Sequence, residues 1–105
     1  MNIIITGGTK GIGKAIAEKF AKEGANIAIC ARTKGDLKKV KKALKKLNST
    51  ISVLTMQVDM QSKKQVEKFA EKVLKKWGSV NIIVNNAAAF LQGTLLEEPD
   101  GLLES

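Results

Sequence analysis

Short continuous apolar runs alternate with longer stretches of helical periodicity along most of the chain. That alternation predicts βαβ units built on a parallel sheet. The first run, Asn2 to Thr6, is apolar at nearly every position, as a strand covered on both faces requires. A glycine-rich turn follows. The next stretch places Ile12, Ile16 and Phe20 at i, i+4 and i+8, predicting a helix that buries these three side chains. Gly24 stands where a left-handed C-cap would end it. A second strand is predicted from Asn26 to Ala31.

The second helix is expected from about Asp36 to Leu47, with Leu37, Val40, Leu44 and Leu47 as its buried stripe and lysines opposite. Asn48 and Ser49 punctuate before a third strand, Ser52 to Val58. The third helix should start at about Ser62, an N-cap with Gln65 completing a capping box. It is expected to bury Val66, Phe69, Ala70, Val73 and Trp77 and to stop at Gly78. A fourth strand follows, Val80 to Asn85. The remainder is less regular: residues 93–105 have room for a short helix, but Pro99-Asp100-Gly101 is a turn signal that interrupts it. No internal repeat, linker or second domain is visible.

Composition narrows the class. The 105 residues are 44% hydrophobic and 27% charged, which fits a soluble globular domain and not a disordered chain. The longest apolar runs, Ile3-Ile4-Ile5 and Ile82-Ile83-Val84, are strand-sized, so no membrane span is expected. No basic segment followed by an apolar one succeeds Met1, so no secretory signal is expected. A lone Cys30 has no internal disulfide partner, which fits a cytoplasmic setting. With no histidine and one cysteine, no metal site is expected.

The net charge of +8 comes mostly from lysine, clustered at 38, 39, 41, 42, 45 and 46 and again at 63, 64, 68, 72, 75 and 76. Such a surface attracts polyanions in general. The same lysines read equally as the wet faces of two amphipathic helices. No arginine-rich run or aromatic stacking platform accompanies them, so nucleic-acid binding is the weaker alternative.

The candidate chemistry sits in Thr6-Gly7-Gly8-Thr9-Lys10-Gly11-Ile12-Gly13, between the first strand and the first helix. Gly7 lets the chain leave the strand in a tight turn, Gly11 lets backbone approach a pyrophosphate, and Gly13 allows helix and strand to pack closely. The helix N-terminus offers free N–H groups and a positive dipole end. The spacing is T-G-x-x-x-G-x-G and not the G-x-G-x-x-G fingerprint. It resembles the classical short-chain dehydrogenase/reductase family. Asn85-Asn86-Ala87-Ala88 follows the fourth strand where that family carries N-N-A-G, and Asp59 ends the third strand where the family places an acid that holds the adenine ring. The resemblance runs from Met1 to about Ala89. Ala88 departs from the family's glycine and would crowd the backbone beside the nicotinamide ribose without abolishing binding.

The resemblance implies an α/β, Rossmann-like parallel sheet flanked by helices, truncated after about the fourth strand. Residues 1–89 would be the dinucleotide-binding half of the domain, and residues 90–105 a tail that is part of a fourth helix. It also implies a cofactor-contacting set: Gly7, Thr9, Lys10, Gly11, Ile12 and Gly13 at the first turn, Asp59 and Met60 after the third strand, and Asn86, Ala87 and Ala88 after the fourth. Asp59 also reads as a cap for the following helix, and Asn85 as a tie between strands.

Charge bears on the choice of cofactor. A site for NAD carries an acid at the end of the second strand to accept from the ribose 2′-OH. Here the strand ends Cys30-Ala31-Arg32, and Asp36 lies beyond it at the next helix start. Arg32 would hold a 2′-phosphate through charge-assisted hydrogen bonds, with Thr33 adding a hydroxyl. Lys10 stands where NADP-preferring members of the family carry a second basic residue. NADP is therefore the expected cofactor and NAD the lesser alternative. The competing reading makes both cations ordinary surface residues of a basic protein.

The family's hydride chemistry uses Tyr-x-x-x-Lys, a preceding Ser and an Asn, and this sequence contains no tyrosine. No catalytic residue is assigned, and unaided turnover is not expected. The leading expectation is the NADP(H)-binding half of a dehydrogenase whose parent interconverts carbonyl and alcohol. The alternatives are a nucleotide-binding sensor or scaffold without turnover and, third, a basic nucleic-acid binder. The family's strand order would leave the fourth strand as an exposed apolar edge, so self-association across it, or coverage by residues 89–105, is also expected.

Overall fold

The computed structural model describes residues 1–84. Asn85, Asn86, Ala87, Ala88 and the tail lie outside the described residues. Seven elements follow in order: β1 (Asn2–Thr6), α1 (Gly11–Lys22), β2 (Asn26–Ala31), α2 (Lys34–Leu47), β3 (Val53–Gln57), α3 (Lys63–Trp77) and β4 (Ile82–Val84). The strands form one sheet in the order β3-β2-β1-β4, and every pairing is parallel. This is the Rossmann-like arrangement with helices on both faces that the sequence predicts. No helix among the described residues is long and apolar enough to cross a membrane.

Side chains alternate across a strand, so each continuous apolar run serves two cores at once. Ile3, Ile5, Ile27 and Ile29 point to the face covered by α1 and α2, where Ala17, Ala21, Leu37, Val40 and Leu44 meet them. Ile4, Ala28 and Cys30 point to the other face, against Val66, Phe69, Ala70 and Val73 of α3. Both layers close on the same central strands.

An asparagine network ties the strands together at their N-terminal ends. Asn26 Nδ2 donates to Asn2 Oδ1 (3.0 Å), and Asn26 Oδ1 accepts from the Ser52 backbone N–H (2.8 Å). Asn2 Nδ2 donates to the Ser79 carbonyl (3.1 Å), while Asn81 Oδ1 accepts from the Asn2 backbone N–H (2.7 Å). One line of amides thus spans the starts of all four strands. At the outer edge, Lys72 of α3 donates from Nζ to the Thr55 carbonyl of β3 (3.2 Å).

Four expectations need correction. Ile12 is not part of the buried face of α1: it is 78% exposed, and the face that closes on the sheet is Gly13, Ala17 and Ala21, with Ile16 and Phe20 only partly covered. The helix lies so near the sheet that small side chains fill the gap. Leu47 at the end of α2 is 40% exposed, since the chain turns away there and Leu37, Val40 and Leu44 make the stripe. The capping box is half-formed. Ser62 Oγ accepts from the Gln65 N–H (3.3 Å), but Gln65 Oε1 reaches past Ser62 to the Asp59 N–H (2.7 Å). Trp77 is half-buried, its Nε1 donating to Ser52 Oγ (3.2 Å).

Candidate functional site

The carboxyl ends of β1, β2 and β3 meet at one end of the sheet, where ligands of open α/β sheets are bound. Gly7 has φ +69° and donates its N–H to the Cys30 carbonyl (3.0 Å), which fastens the exit of β1 to the end of β2. Gly11 sits at φ +59°, a left-handed value that costs a residue with a Cβ roughly 1–2 kcal/mol. Gly13 meets a different demand. A Cβ placed on it would stand 2.7 Å from the Gly7 oxygen and 3.0 Å from the Gly8 α-carbon. Its close approach is therefore to the turn itself and not, as expected from the sequence, to the strand.

The first turn of α1 contains no acidic residue, and its N-cap, Lys10, makes no capping hydrogen bond from its side chain. The first N–H groups of the helix are thereby left to a ligand or to water. Thr33 stands likewise before α2 with no side-chain capping bond. Its hydroxyl is not committed to the helix.

Between these two helix starts lies a hollow of about 330 Å3, lined by Thr6, Gly7, Thr9, Lys10, Cys30, Ala31, Arg32, Thr33, Asp36 and Met60. Six of the sequence-derived positions (Gly7, Thr9, Lys10, Arg32, Thr33 and Met60) are brought together here. Gly11, Ile12 and Gly13 form the adjoining helix start. Asp59 lines a neighbouring hollow of about 550 Å3 with Arg32, Met56, Gln57, Val58, Gln65 and Lys68. Arg32 stands at the boundary and lines both. Asn86, Ala87 and Ala88 lie outside the described residues.

Cys30 is the hollow's buried floor. Burial pushes its thiol up from 9.0 to about 12, against a smaller opposing effect of a backbone hydrogen bond. Its Sγ–H donates to Met60 Sδ (3.7 Å). The group is a neutral packing residue at ordinary pH and not a nucleophile. Asp59 is engaged locally, with Oδ1 accepting from the Gln61 N–H (2.9 Å).

Asp36 is legible in the sequence only as an acid beyond the strand end. In the fold its Oδ2 lies 3.6 Å from Lys10 Nζ, an ion pair that spans the mouth of the hollow. Lys68 and Gln65, on the adjoining hollow, also escape sequence reasoning, because their approach depends on how α3 lies against β3. Among the described residues no cluster of His, Cys, Asp and Glu could hold a metal ion. What the arrangement offers an anion is two cationic side chains, helix-start amides with no side-chain cap and a turn opened by glycine, with the Asp36 carboxylate at its mouth.

The sequence model of the short chain dehydrogenase family matches residues 1–101. Hydroxysteroid dehydrogenase-like protein 2 of Homo sapiens is 37% identical over 107 residues, covering 97% of this chain and 26% of that protein. The chain thus spans about a quarter of the length of this relative. The L-sorbose reductase of Gluconobacter frateurii, solved with NADPH and L-sorbose, superposes with a TM-score of 0.77 at 40% identity, over 84% of this chain and 33% of that one. A NAD+-bound xylitol dehydrogenase, 24% identical, shares the fold with a TM-score of 0.77 over 83% of this chain and 33% of its own.

Proposed function

The chain belongs to the short-chain dehydrogenase family, and on that footing we propose that this stretch holds NADP(H) for a carbonyl–alcohol oxidoreductase. The observation that carries the reading is that Lys10 and Arg32 line one hollow with Gly7 and Thr33, at a strand end that carries no acid. Structural neighbours hold either dinucleotide, so the choice has to rest on this chain's own charges. The pyrophosphate would lie on the α1 start, where Gly11 presents no side chain and an added Cβ would meet nothing within 4 Å. The 2′-phosphate would take Arg32 and Lys10, with the Thr33 hydroxyl beside them. Asp59 and Met60 would border the adenosine, and Asn86, Ala87 and Ala88 the nicotinamide ribose.

When bound, the nicotinamide supplies or accepts hydride. The residues of the hollow bind and orient it. Proton transfer at the substrate is assigned to none of these 105 residues, which include neither tyrosine nor histidine.

Calorimetric titration with NADP+ and NAD+ tests the reading. NADP+ should bind the tighter, and Arg32→Ala should lower its affinity by about tenfold or more, since a hydrogen bond to a charged group is worth roughly 1.5–3 kcal/mol. Affinity for NAD+ should barely move. Equal binding of the two by the unaltered chain would refute it.

A further inference from the structure

We propose that Asp36 is a specificity-determining residue: it holds Lys10 in an ion pair that a 2′-phosphate must take over, and so sets how strongly the site prefers a 2′-phosphorylated nucleotide. This rests on the NADP(H) reading above and deepens it.

Three observations converge. First, the ion pair joins two residues that line the same hollow as Arg32, with Asp36 Oδ2 at 3.6 Å from Lys10 Nζ. A dianion arriving at Arg32 meets a lysine already engaged and a carboxylate of its own sign. Second, the pair is loose. The Lys10 side chain is 80% exposed and that of Asp36 28%, and water-screened pairs of this kind are weak. Lys10 can therefore be drawn away at small cost.

Third, Asp36 has other cations at hand. It also lines a small recess of about 100 Å3 with Thr9, Lys14, Lys39 and Val40. A carboxylate that loses Lys10 to a phosphate still shares that recess with Lys14 and Lys39. It also remains in the first turn of α2, where the helix dipole favours negative charge. The exchange thus leaves no charge stranded. Lys10 passes to the ligand, and Asp36 keeps the lysines of the recess.

The cost of the exchange falls only on ligands that need Lys10. A nucleotide with a free 2′-OH leaves the pair intact. Asp36 accordingly moderates the preference for phosphate without contributing to nucleotide binding in general.

The test is calorimetric titration of the full chain with adenosine 2′,5′-bisphosphate and with 5′-AMP, for the unaltered protein, Asp36→Asn, Lys10→Ala and the double variant. Asp36→Asn should tighten binding of the bisphosphate by roughly two- to fivefold, the range that a weak ion pair converts to. Its affinity for 5′-AMP should stay unchanged, which also shows that the variant is folded. In the Lys10→Ala background the gain should shrink to what relief of the carboxylate–phosphate repulsion alone supplies. A gain that persists in full without Lys10, or no gain from Asp36→Asn alone, overturns the proposal and leaves the NADP(H) reading standing. An unaltered chain that binds the bisphosphate no better than 5′-AMP overturns both.

Discussion

The α-carbon of Gly13 faces the carbonyl of Gly7 so closely that a Cβ there would stand 2.7 Å from the oxygen. The obstacle is backbone, held in turn by the Gly7–Cys30 hydrogen bond, and it has no flexible end to swing aside. Gly13→Ala is expected to push α1 off the turn, costing about 1–3 kcal/mol in stability as overpacking does. Nucleotide binding should be lost with it. Gly11→Ala meets open space and should cost only the backbone strain of its left-handed conformation. Thermal unfolding of both variants, each followed by titration, compares them. A Gly13→Ala protein that binds as well as the original would contradict the close-approach argument.

Asn26 joins β1 to β3 by donating to Asn2 and accepting from Ser52. Asn26→Ala removes both bonds and leaves their partly buried partners unmet, which should cost about 1–3 kcal/mol. Asn26→Asp keeps the acceptor for Ser52 and should fall between. Urea midpoints would rank the three proteins, and an alanine variant as stable as the original would show the network to be ornamental.

Ile12 and Phe69 offer a contrast between exposure and burial. Ile12→Gln should alter stability by no more than about 0.5 kcal/mol, as changes at the surface usually do. Phe69, fully buried between α3 and the sheet, should cost about 3–5 kcal/mol when cut to alanine. Similar unfolding curves for the two variants would mean that the layer under α3 is not a packed core.

Cys30 predicts an alkaline weakness. Below about 9 the thiol is protonated in the folded and the unfolded chain alike. Between about 9 and 12 the unfolded chain releases its proton while the folded chain keeps it, so stability falls as pH rises through that window. Unfolding in urea at successive pH values should show a steeper alkaline decline for the original protein than for Cys30→Ala. The folded protein should also resist a thiol reagent at pH 8. Rapid modification without unfolding would sink the assignment.

Much of the fold, and part of the candidate hollow's lining, is legible in the amino-acid sequence. The extents of β1 and β2 follow from runs apolar on both faces, and the glycine turn between strand and helix points to the end of the sheet where the candidate hollow lies. Arg32 and Lys10 can be paired on charge alone, and they do line one hollow. The failures share a cause. Periodicity gives weight to large side chains, so it turns Ile12 inward although glycine and alanine do the packing where α1 lies closest. Local capping rules do not foresee Gln65 reaching back six residues to Asp59. The pairing of Asp36 with Lys10 and the asparagine line depend on contacts across elements, which no window along the chain contains.

The lysine that reaches from α3 to the Thr55 carbonyl gives the sheet a direction of growth. A foreign strand approaching β3 would have to displace an ammonium group and leave it without that acceptor, so this border resists extension. At the opposite border β4 has β1 on one side and, among the described residues, no strand on the other. Among the described residues the two borders are therefore unequal: at β3 a backbone acceptor is already taken by an ammonium group, whereas at β4 no lysine stands in a strand's way.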